Sequence, residues 1–232
     1  MDSFSQLDGI LLVDKPVGWS SFKVVAVVRR RLSEVAGRKV KVGHAGTLDP
    51  FASGLLIILV GDACKQAGSF LKLDKSYQVF AVLGVTSMTG DPEGERREVS
   101  TTEPSRRAVE DSLNQFQGRQ LQKPPAYSAI KINGQRAYNL ARRGKEVDIP
   151  SRPIVIHSIE LTTYAYPKIS FNCLVSSGTY IRSLVEDIGN YLGVGAYTSG
   201  LRRTSVGACI IEQAIDIDSE SRLEDKIMPV AR

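Results

Sequence analysis

Apolar residues fall along the chain in short runs and helical stripes, and these predict a protein that mixes helices and strands. Aliphatic runs predict strands over 9–13 and 55–60, since strands buried on both faces lose their alternation. Apolar residues at helical spacing predict a helix from an N-cap at Ser20 to about Leu32. The clearest periodicity lies over 181–192, where one face carries Ile181, Leu184, Val185, Ile188, Tyr191 and Leu192.

The remaining patterns complete a prediction of the fold. Further helices are predicted over 62–71, 105–116 and 136–143, and strands over 77–83, 128–132, 197–203 and 206–211, with three strand-like runs in 154–175. Turns are predicted at 90–94 and at Asn133-Gly134. Because strands follow one another over short turns, the expected class is α+β, with a mixed, largely antiparallel central sheet flanked by helices. With no repeat and no clear linker, residues 1–232 are predicted to form a single domain.

Composition limits the class of protein. A chain of 232 residues with 42% apolar content can bury one core, or one core and a small satellite. The longest aliphatic run, Leu55 to Val60, is far too short to span a bilayer, and the amino terminus shows no apolar signal segment. We therefore expect a cytoplasmic protein with no membrane partner. Three dispersed cysteines and two histidines, without a Cys-x-x-Cys pair, predict no metal site.

Charge is distributed unevenly along the chain, although the net charge is a modest +5. The segment 29–41 carries Arg29, Arg30, Arg31, Arg38, Lys39 and Lys41 against Glu34, and 119–145 carries seven basic residues, no acid, and two tyrosines. Segment 212–225 instead has six acids against Arg222. Either basic strip alone fits a solvated surface equally well. Together, with the acids displaced, they favour binding to a nucleic acid.

Catalytic chemistry is best sought in the segment Gly43-His44-Ala45-Gly46-Thr47-Leu48-Asp49-Pro50, which its glycines and proline predict to be a shaped loop. The chain has neither a Walker-type phosphate loop nor a Gly-x-Ser-x-Gly elbow. Asp49 is therefore the first candidate for a catalytic group.

Four motifs together carry a resemblance to a known family. They are the segment from Gly9 to Gly18 containing Asp14-Lys15-Pro16, the segment 43–50, Lys75-Ser76-Tyr77, and Ser177-Gly178-Thr179-Tyr180-Ile181-Arg182-Ser183-Leu184. Over about 9–211 the chain is similar to bacterial TruB-type tRNA pseudouridine-55 synthases. The resemblance implies the pseudouridine synthase fold, with an RNA-binding cleft across one face of the sheet.

The resemblance also implies an activity, the isomerisation of uridine to pseudouridine at position 55 in the T loop of tRNA, with the base flipped out and no cofactor. Asp49 matches the essential aspartate, which attacks the uracil, attacks the sugar, or takes the C2′ proton; these routes stay open. Arg182 matches the arginine that keeps this carboxylate ionised. The other residues implied at the substrate are Tyr77, which stacks on the base and handles its C5 proton, Tyr180 and Leu201 lining the pocket, His44, Asp91 and Lys15.

Partners follow from the same resemblance. tRNA is the expected partner, no protein partner is required, and a monomer is expected. Relatives commonly continue into a small PUA-type RNA-binding module, whereas this chain ends at Arg232, so that module is expected to be absent. Two alternatives remain: a tRNA folding chaperone without chemistry, which the basic strips alone would fit, and a subunit of a guide-RNA complex, as in archaeal and eukaryotic relatives.

Overall fold

A computed structural model describes residues 7–128, 131–132, 135–138, 149–218 and 222–230. Its elements up to residue 122 are β1 (Gly9–Lys15), α1 (Ser21–Ala36), β2 (Val42–Ala45), β3 (Ser53–Val60), a 3-10 helix (Gly61–Gln66), α2 (Ala67–Leu71), β4 (Lys75–Leu83), β5 (Val85–Ser87), β6 (Arg96–Glu98), α3 (Arg106–Phe116) and β7 (Gly118–Gln122). Those that follow are β8 (Lys131–Ile132), β9 (Gln135–Arg136), β10 (Arg152–Ala165), β11 (Lys168–Val175), α4 (Ile181–Tyr191), β12 (Ala196–Val206), β13 (Cys209–Ile210), β14 (Ile215–Asp216) and two 3-10 turns (Ile211–Gln213 and Leu223–Lys226). No helix among these described residues combines the length and the apolar character needed to cross a membrane.

The chain divides into two compact units, of which unit 1 comprises Met1–Ser76 and Arg202–Arg232. Its sheet is built around β3, which pairs antiparallel with β1 and β2 and parallel with the end of β12. β14 adds to β1 in parallel, and β13 pairs with β12. β1 pairs with β3 over 54–60 along one edge, while β12 and β2 share the other edge, over 53–54 and 57–60 respectively.

The core of unit 1 lies on both faces of β3. One face packs Leu56, Ile58 and Val60 against the apolar stripe of α1, while the other packs Leu55, Ile57 and Leu59 towards α2. This two-sided burial explains why the sequence of β3 is continuously aliphatic. α1 begins where the side chain of Ser20 accepts a hydrogen bond from the Lys23 N–H and ends at Gly37, whose φ of 62° is left-handed.

Unit 2 comprises Tyr77–Leu201. Its sheet has the order β12, β4, β11, β10, β7, and the pairs β11–β10 and β10–β7 are antiparallel. α3 packs against β10 and contacts α4, where the Phe116 and Tyr191 rings meet edge to face at 6.1 Å. α4 buries Ile181, Leu184, Val185 and Ile188, which are four of the six residues in its predicted apolar stripe. Tyr191, placed on that stripe, is instead exposed.

Most sequence predictions of regular structure are confirmed, including the α+β class. β1, α1, β3, β4, α3 and α4 lie where predicted, with ends shifted by a few residues. Five predictions were wrong in detail. The helix predicted over 62–71 is a 3-10 helix (Gly61–Gln66) followed by the short α2, and of the strand predicted over 128–132 only Lys131–Ile132 forms a strand among the described residues. The segment 43–45, predicted as loop, belongs to β2; the runs within 154–175 form two strands; and 197–211 is one long strand with a short partner. The helix predicted over 136–143 and the turn at 133–134 lie largely outside the described residues.

Gly54 is a point where unit 1 tolerates no side chain. Its φ is +103°, and a Cβ would lie 2.3 Å from the backbone oxygen of Arg203 on the neighbouring strand. We expect Gly54→Ala to lower the free energy of unfolding by more than about 3 kcal/mol, because the backbone strain alone costs about 1 to 3 kcal/mol. Urea denaturation measures this. Gly68→Ala, where the added methyl meets open space, is the matched control. Equal stability of the two variants would contradict the close packing of β3 against β12.

Candidate active site

Asp49 lies in the connection between the paired strands β2 and β3, residues 46–52, here called the Asp49 loop. Its carbonyl accepts a hydrogen bond from the Ala52 N–H at 3.1 Å, which closes a turn directly after the carboxylate. Leu48 and Ala52 are buried, whereas Asp49 is half-buried. The loop therefore presents one carboxylate from a tightly packed backbone.

The residue before Asp49 is fixed by Ser21 at the start of α1. The Ser21 hydroxyl accepts from the Leu48 N–H at 2.9 Å and donates to the Leu48 carbonyl at 3.1 Å. Both backbone groups of Leu48 are thus satisfied inside the protein by one buried side chain.

The residue after Asp49 is held by Lys15 and Gly18. Lys15 is 0% exposed, and its ammonium donates to the carbonyls of Trp19 at 2.7 Å, Pro16 at 2.9 Å and Pro50 at 3.5 Å. The Gly18 N–H also donates to Pro50, at 2.7 Å. Burial lowers the pKa of Lys15 to about 8, and the nearby negative charge of Asp49 opposes part of that fall. Lys15, predicted to bind substrate, is therefore engaged with the backbone in this structure.

Arg203 supports the beginning of the loop, and sequence reasoning missed it. Its side chain lies inside unit 1, where Nη2 donates to the Gly46 carbonyl at 3.0 Å and Nε to the Leu55 carbonyl at 2.7 Å. His44 also lies near this guanidinium: burial and then the charge of Arg203 lower the pKa of its imidazole, which favours the neutral ring. Among the described residues, His44 Nδ1 has no hydrogen-bond partner.

Lys75 is a third buried cation in unit 1. Its ammonium donates to the carbonyls of Leu71, at 3.1 Å, and Leu73. Burial, together with the charge of Arg203, lowers its pKa to about 8, and Asp74 opposes part of that fall. Lys75 belongs to one of the motifs used above, but its role there was not predicted.

Arg182 and Asp91 form a buried ion pair in unit 2. Arg182 is 5% exposed, and Nη1 lies 3.0 Å from Oδ2 of Asp91. The same guanidinium donates to the carbonyls of Thr89 at 2.7 Å and Tyr127 at 2.8 Å. Asp91 Oδ1 in turn accepts from the Thr89 hydroxyl at 2.6 Å and from the Glu93 N–H at 3.0 Å. The turn predicted at 90–94 thus supplies a carboxylate that fixes the orientation of Arg182.

The aromatic candidates also lie in unit 2. Tyr77, at the start of β4, is 8% exposed. Tyr180 precedes α4 and is half-buried, with the Arg152 guanidinium 4.9 Å above its ring. Its backbone N–H and carbonyl both bond to the side-chain amide of the buried Gln122, at 2.8 and 2.9 Å. Gln122 was missed by sequence analysis, since a glutamine in a polar segment carries no signal of such a role. Leu201, at the end of this unit, is half-buried.

The first basic strip is partly structural. Arg29 donates to the Val42 carbonyl and Arg31 to the Ile217 carbonyl, whereas its exposed cations are Arg30, Arg38, Lys39 and Lys41. Of the seven basic residues in the second strip, Arg142, Arg143 and Lys145 lie outside the described residues, whereas Arg119 and Lys123 are exposed. A polyanion could therefore directly meet four cations of the first strip and these two of the second.

Two family profiles and many curated relatives match the sequence. Residues 30–181 match the profile described as "TruB family pseudouridylate synthase (N terminal domain)", and residues 182–230 match "tRNA pseudouridylate synthase B C-terminal domain". Curated relatives called tRNA pseudouridine synthase B include proteins from Burkholderia lata (43% identity, covering 94% of this chain and 66% of the relative), Nitrosococcus oceani (44%, 94% and 70%) and Phocaeicola vulgatus (41%, 90% and 90%).

Solved structures show the same fold. A chain of a Cbf5-Nop10-Gar1 complex superposes with a TM-score of 0.69 at 28% identity, over 90% of this chain and 52% of that one. A chain of an H/ACA RNP bound to a substrate RNA containing 2′-deoxyuridine gives 0.70 at 25% identity, over 96% and 59%. This chain thus spans about two thirds of the Burkholderia relative and just over half of these structural neighbours.

Glu186 on α4 makes the stability of unit 2 depend on pH. Its carboxylate lies against Gly90, where a Cβ would be 2.5 Å from Oε1. Burial raises the pKa of Glu186 from near 4.5 to about 7; the cation of Arg182 opposes the rise, and Asp187 and Asp91 add to it. The folded protein then binds more protons than the unfolded chain between these two values. Stability therefore falls as pH rises through this window, and the cost is complete above it.

We expect Glu186→Gln to raise Tm at pH 8 by about 2 to 4 °C, the shift that about 1 kcal/mol produces in a protein of this size. The gain should shrink at pH 5, where the parent carboxyl is protonated. Thermal unfolding at both pH values measures it, with Glu160→Gln, at an exposed position on β10, as control. A gain at pH 5 equal to that at pH 8 would contradict the raised pKa.

Proposed function

The chain belongs to the TruB family of pseudouridylate synthases, and we propose that it isomerises uridine to pseudouridine in tRNA. At the finer level we propose the T loop, position 55, as the target. The observation that supports the proposal best is the geometry of the Asp49 loop. The half-buried Asp49 carboxylate lies between Leu48, whose backbone is hydrogen-bonded to Ser21, and Pro50, whose carbonyl accepts from Lys15.

The proposed reaction rearranges bonds without a net change in composition. The N1–C1′ glycosidic bond breaks, the uracil rotates, a C5–C1′ bond forms, and C5 loses a proton while N1 gains one. Neither an oxidant nor an outside energy source is needed. Asp49 would attack the uracil, attack the sugar, or take the C2′ proton, and each of these roles requires an ionised carboxylate at a fixed position.

Lys15 and Asp49 attract each other within unit 1. The negative charge of Asp49 opposes the fall in the pKa of Lys15, and the nearby ammonium supports a negative charge in the Asp49 loop. An ordinary aspartate is already ionised at neutral pH, with a reference pKa of about 3.9. Since the Lys15 pKa lies at about 8, this support weakens in alkaline solution.

The residues of unit 2 supply the proposed contacts with the base. The uridine must leave its stack, which costs a few kcal/mol, and stacking on an aromatic ring returns about 1 to 3 kcal/mol. We assign this stacking to Tyr77, with Tyr180 and Leu201 completing the pocket. One face of the Tyr180 ring is covered by Arg152, so a base would meet the other face. We further propose that Asp91 orients Arg182, and that His44 helps to hold the extruded nucleotide.

The partner proposed is tRNA, bound by a monomer in the cytoplasm. The exposed cations Arg30, Arg38, Lys39 and Lys41 would contact phosphates, which makes binding weaker as salt rises. A tRNA folding chaperone would use the same cations without needing Asp49. A substitution of Asp49 therefore distinguishes the synthase, which needs this residue, from the chaperone, which does not.

We expect Asp49→Asn to reduce tritium release from 5-tritiated uridine in tRNA to background. The amide keeps the size of the side chain but removes its charge and nearly all its nucleophilicity. Binding of the same tRNA should remain close to that of the parent, because the exposed cations are unchanged. Tritium release and a binding titration measure the two effects.

Asp62→Asn is the control, since Asp62 is an exposed acid paired with Lys65. It should release tritium like the parent. Turnover by Asp49→Asn within about tenfold of the parent, a barrier change of about 1.4 kcal/mol, would refute the catalytic assignment. A parent without turnover on any tRNA would favour the chaperone.

Tyr77→Phe separates stacking from proton transfer. It keeps the aromatic ring and removes the hydroxyl, so we expect unchanged tRNA affinity and a turnover reduced by about 100-fold or more, the usual contribution of a general acid or base. Tyr77→Leu should also weaken tRNA binding by about 1 to 3 kcal/mol. Binding titrations and single-turnover rates measure these changes.

Because Tyr77 is largely buried, thermal unfolding must accompany these assays, so that a packing defect in the Leu variant is recognised. Tyr191→Phe and Tyr191→Leu, at an exposed tyrosine of unit 2, are the matched controls. Full turnover by Tyr77→Phe would remove the hydroxyl from the mechanism, and full affinity of Tyr77→Leu would remove the stacking.

A further inference from the structure

Two adjacent arginines on β12 have different environments. Arg202 lies near the surface and pairs with Asp14, with Nη2 at 2.6 Å from Oδ2, and both side chains are about one third exposed. Arg203 is 1% exposed and points to the opposite face of the sheet, as successive residues of a strand do. One arginine is therefore an ordinary surface ion pair, while the other is enclosed in unit 1.

The buried guanidinium joins two parts of the chain that enclose the Asp49 loop. Its hydrogen bonds reach Gly46, the first residue after β2, and Leu55, the third residue of β3. A planar guanidinium can donate in two directions at once from a fixed fork, which a flexible ammonium cannot do with the same geometry. Among the described residues Arg203 forms no ion pair, so its donors serve the backbone.

Together with the contacts already described, Arg203 completes a set of ties along the loop. Gly46 is held by Arg203, Leu48 by Ser21, and Pro50 by Lys15. Arg203 belongs to β12, Ser21 to α1 and Lys15 to β1. Gly46 itself has a left-handed φ of +97°, and a Cβ there would make an ordinary van der Waals contact with Nη1 of Arg203, at 3.5 Å.

We propose that Arg203 is a positioning residue for Asp49, which fixes the start of the Asp49 loop relative to β3 so that the carboxylate reaches the substrate in one place. This inference rests on the proposed function. Displacing a catalytic group by about 1 Å can cost on the order of 100-fold in rate. Arg203 itself is not expected to touch the substrate.

The charge of Arg203 is a second contribution to the same loop. It lowers the pKa values of His44, Lys15 and Lys75, and so acts on groups around the Asp49 loop. A guanidinium keeps its charge when buried. Arg203→Lys keeps the positive charge but loses the paired hydrogen bonds to Gly46 and Leu55. Arg203→Gln loses both the charge and the paired hydrogen bonds.

The experiment compares Arg203→Lys and Arg203→Gln with Arg202→Lys and Arg202→Gln in the full chain. We expect both Arg203 variants to lose kcat for uridine isomerisation in tRNA by about 10- to 100-fold, with KM and tRNA affinity within about threefold of the parent. The Arg202 variants should keep the parent kcat. Arg203→Lys with kcat within about threefold of the parent would overturn the proposal.

A loss of stability alone must be distinguished from mispositioning. Val28→Ala, a core substitution in α1, provides a less stable enzyme without touching the loop. If it loses as much kcat as Arg203→Lys at the same reduction in Tm, the effect of Arg203 is one of stability and the proposal is overturned. A Val28→Ala enzyme with near-parent kcat supports it.

Gly46→Ala alters the other partner of the hydrogen bond between Arg203 and Gly46 and keeps the arginine. This variant replaces the arginine variants in the experiment if they do not fold. Because L side chains rarely adopt the Gly46 φ of +97°, the added methyl should strain the backbone and shift the start of the loop. We expect the same pattern, reduced kcat with retained tRNA affinity, and parent kcat would overturn the proposal. Absence of turnover in the parent would instead refute the proposed function, which keeps the two failures distinct.

Discussion

The structure of unit 1 depends on satisfying the backbone polar groups of the Asp49 loop. This loop runs along the edge of a dry aliphatic core, where an unpaired carbonyl or N–H is costly, about 1 to 3 kcal/mol each. Ser21, Lys15 and Arg203 provide the donors and acceptors from three separate elements. The conformation of the Asp49 loop therefore depends on the positions of β1, α1 and β12. Moving any of these elements would leave backbone groups of the loop without hydrogen-bond partners.

The two units stabilise buried charge in different ways. In unit 1, Lys15, Lys75 and Arg203 direct their donors at backbone carbonyls, and burial lowers the pKa of both lysines. In unit 2, Arg182 has a buried carboxylate partner in Asp91 as well as carbonyls. A cation held by carbonyl dipoles keeps most of its positive potential, whereas an ion pair is nearly neutral at a distance. Unit 1 is thus suited to hold a further negative charge, which Asp49 supplies.

Sequence patterns predicted those features that local chemistry determines. The aliphatic run of β3, the Ser20 cap of α1 and the stripe of α4 all carried clear signals. The assignment of 43–45 to a loop was wrong because the pairing of β2 with β3 overrides the local preference of glycine. Arg202 and Arg203 look alike in sequence, and only the pleat of β12 decides which is buried. Support from distant residues, as by Arg203 or Gln122, cannot be read from a motif, since it depends on tertiary contacts.

All three routes proposed for Asp49 require a rigid loop. In each proposal, attack on the uracil, attack on the sugar or removal of the C2′ proton, the carboxylate must lie at a particular distance and angle from the nucleotide. A catalytic side chain on a mobile loop would reach that geometry in a small fraction of encounters, and binding energy would be lost in ordering it. The hydrogen bonds at Gly46, Leu48 and Pro50 order the loop when the protein folds. The entropic cost of ordering it is then not taken from the energy of substrate binding. The requirement for these ties is therefore common to all three routes.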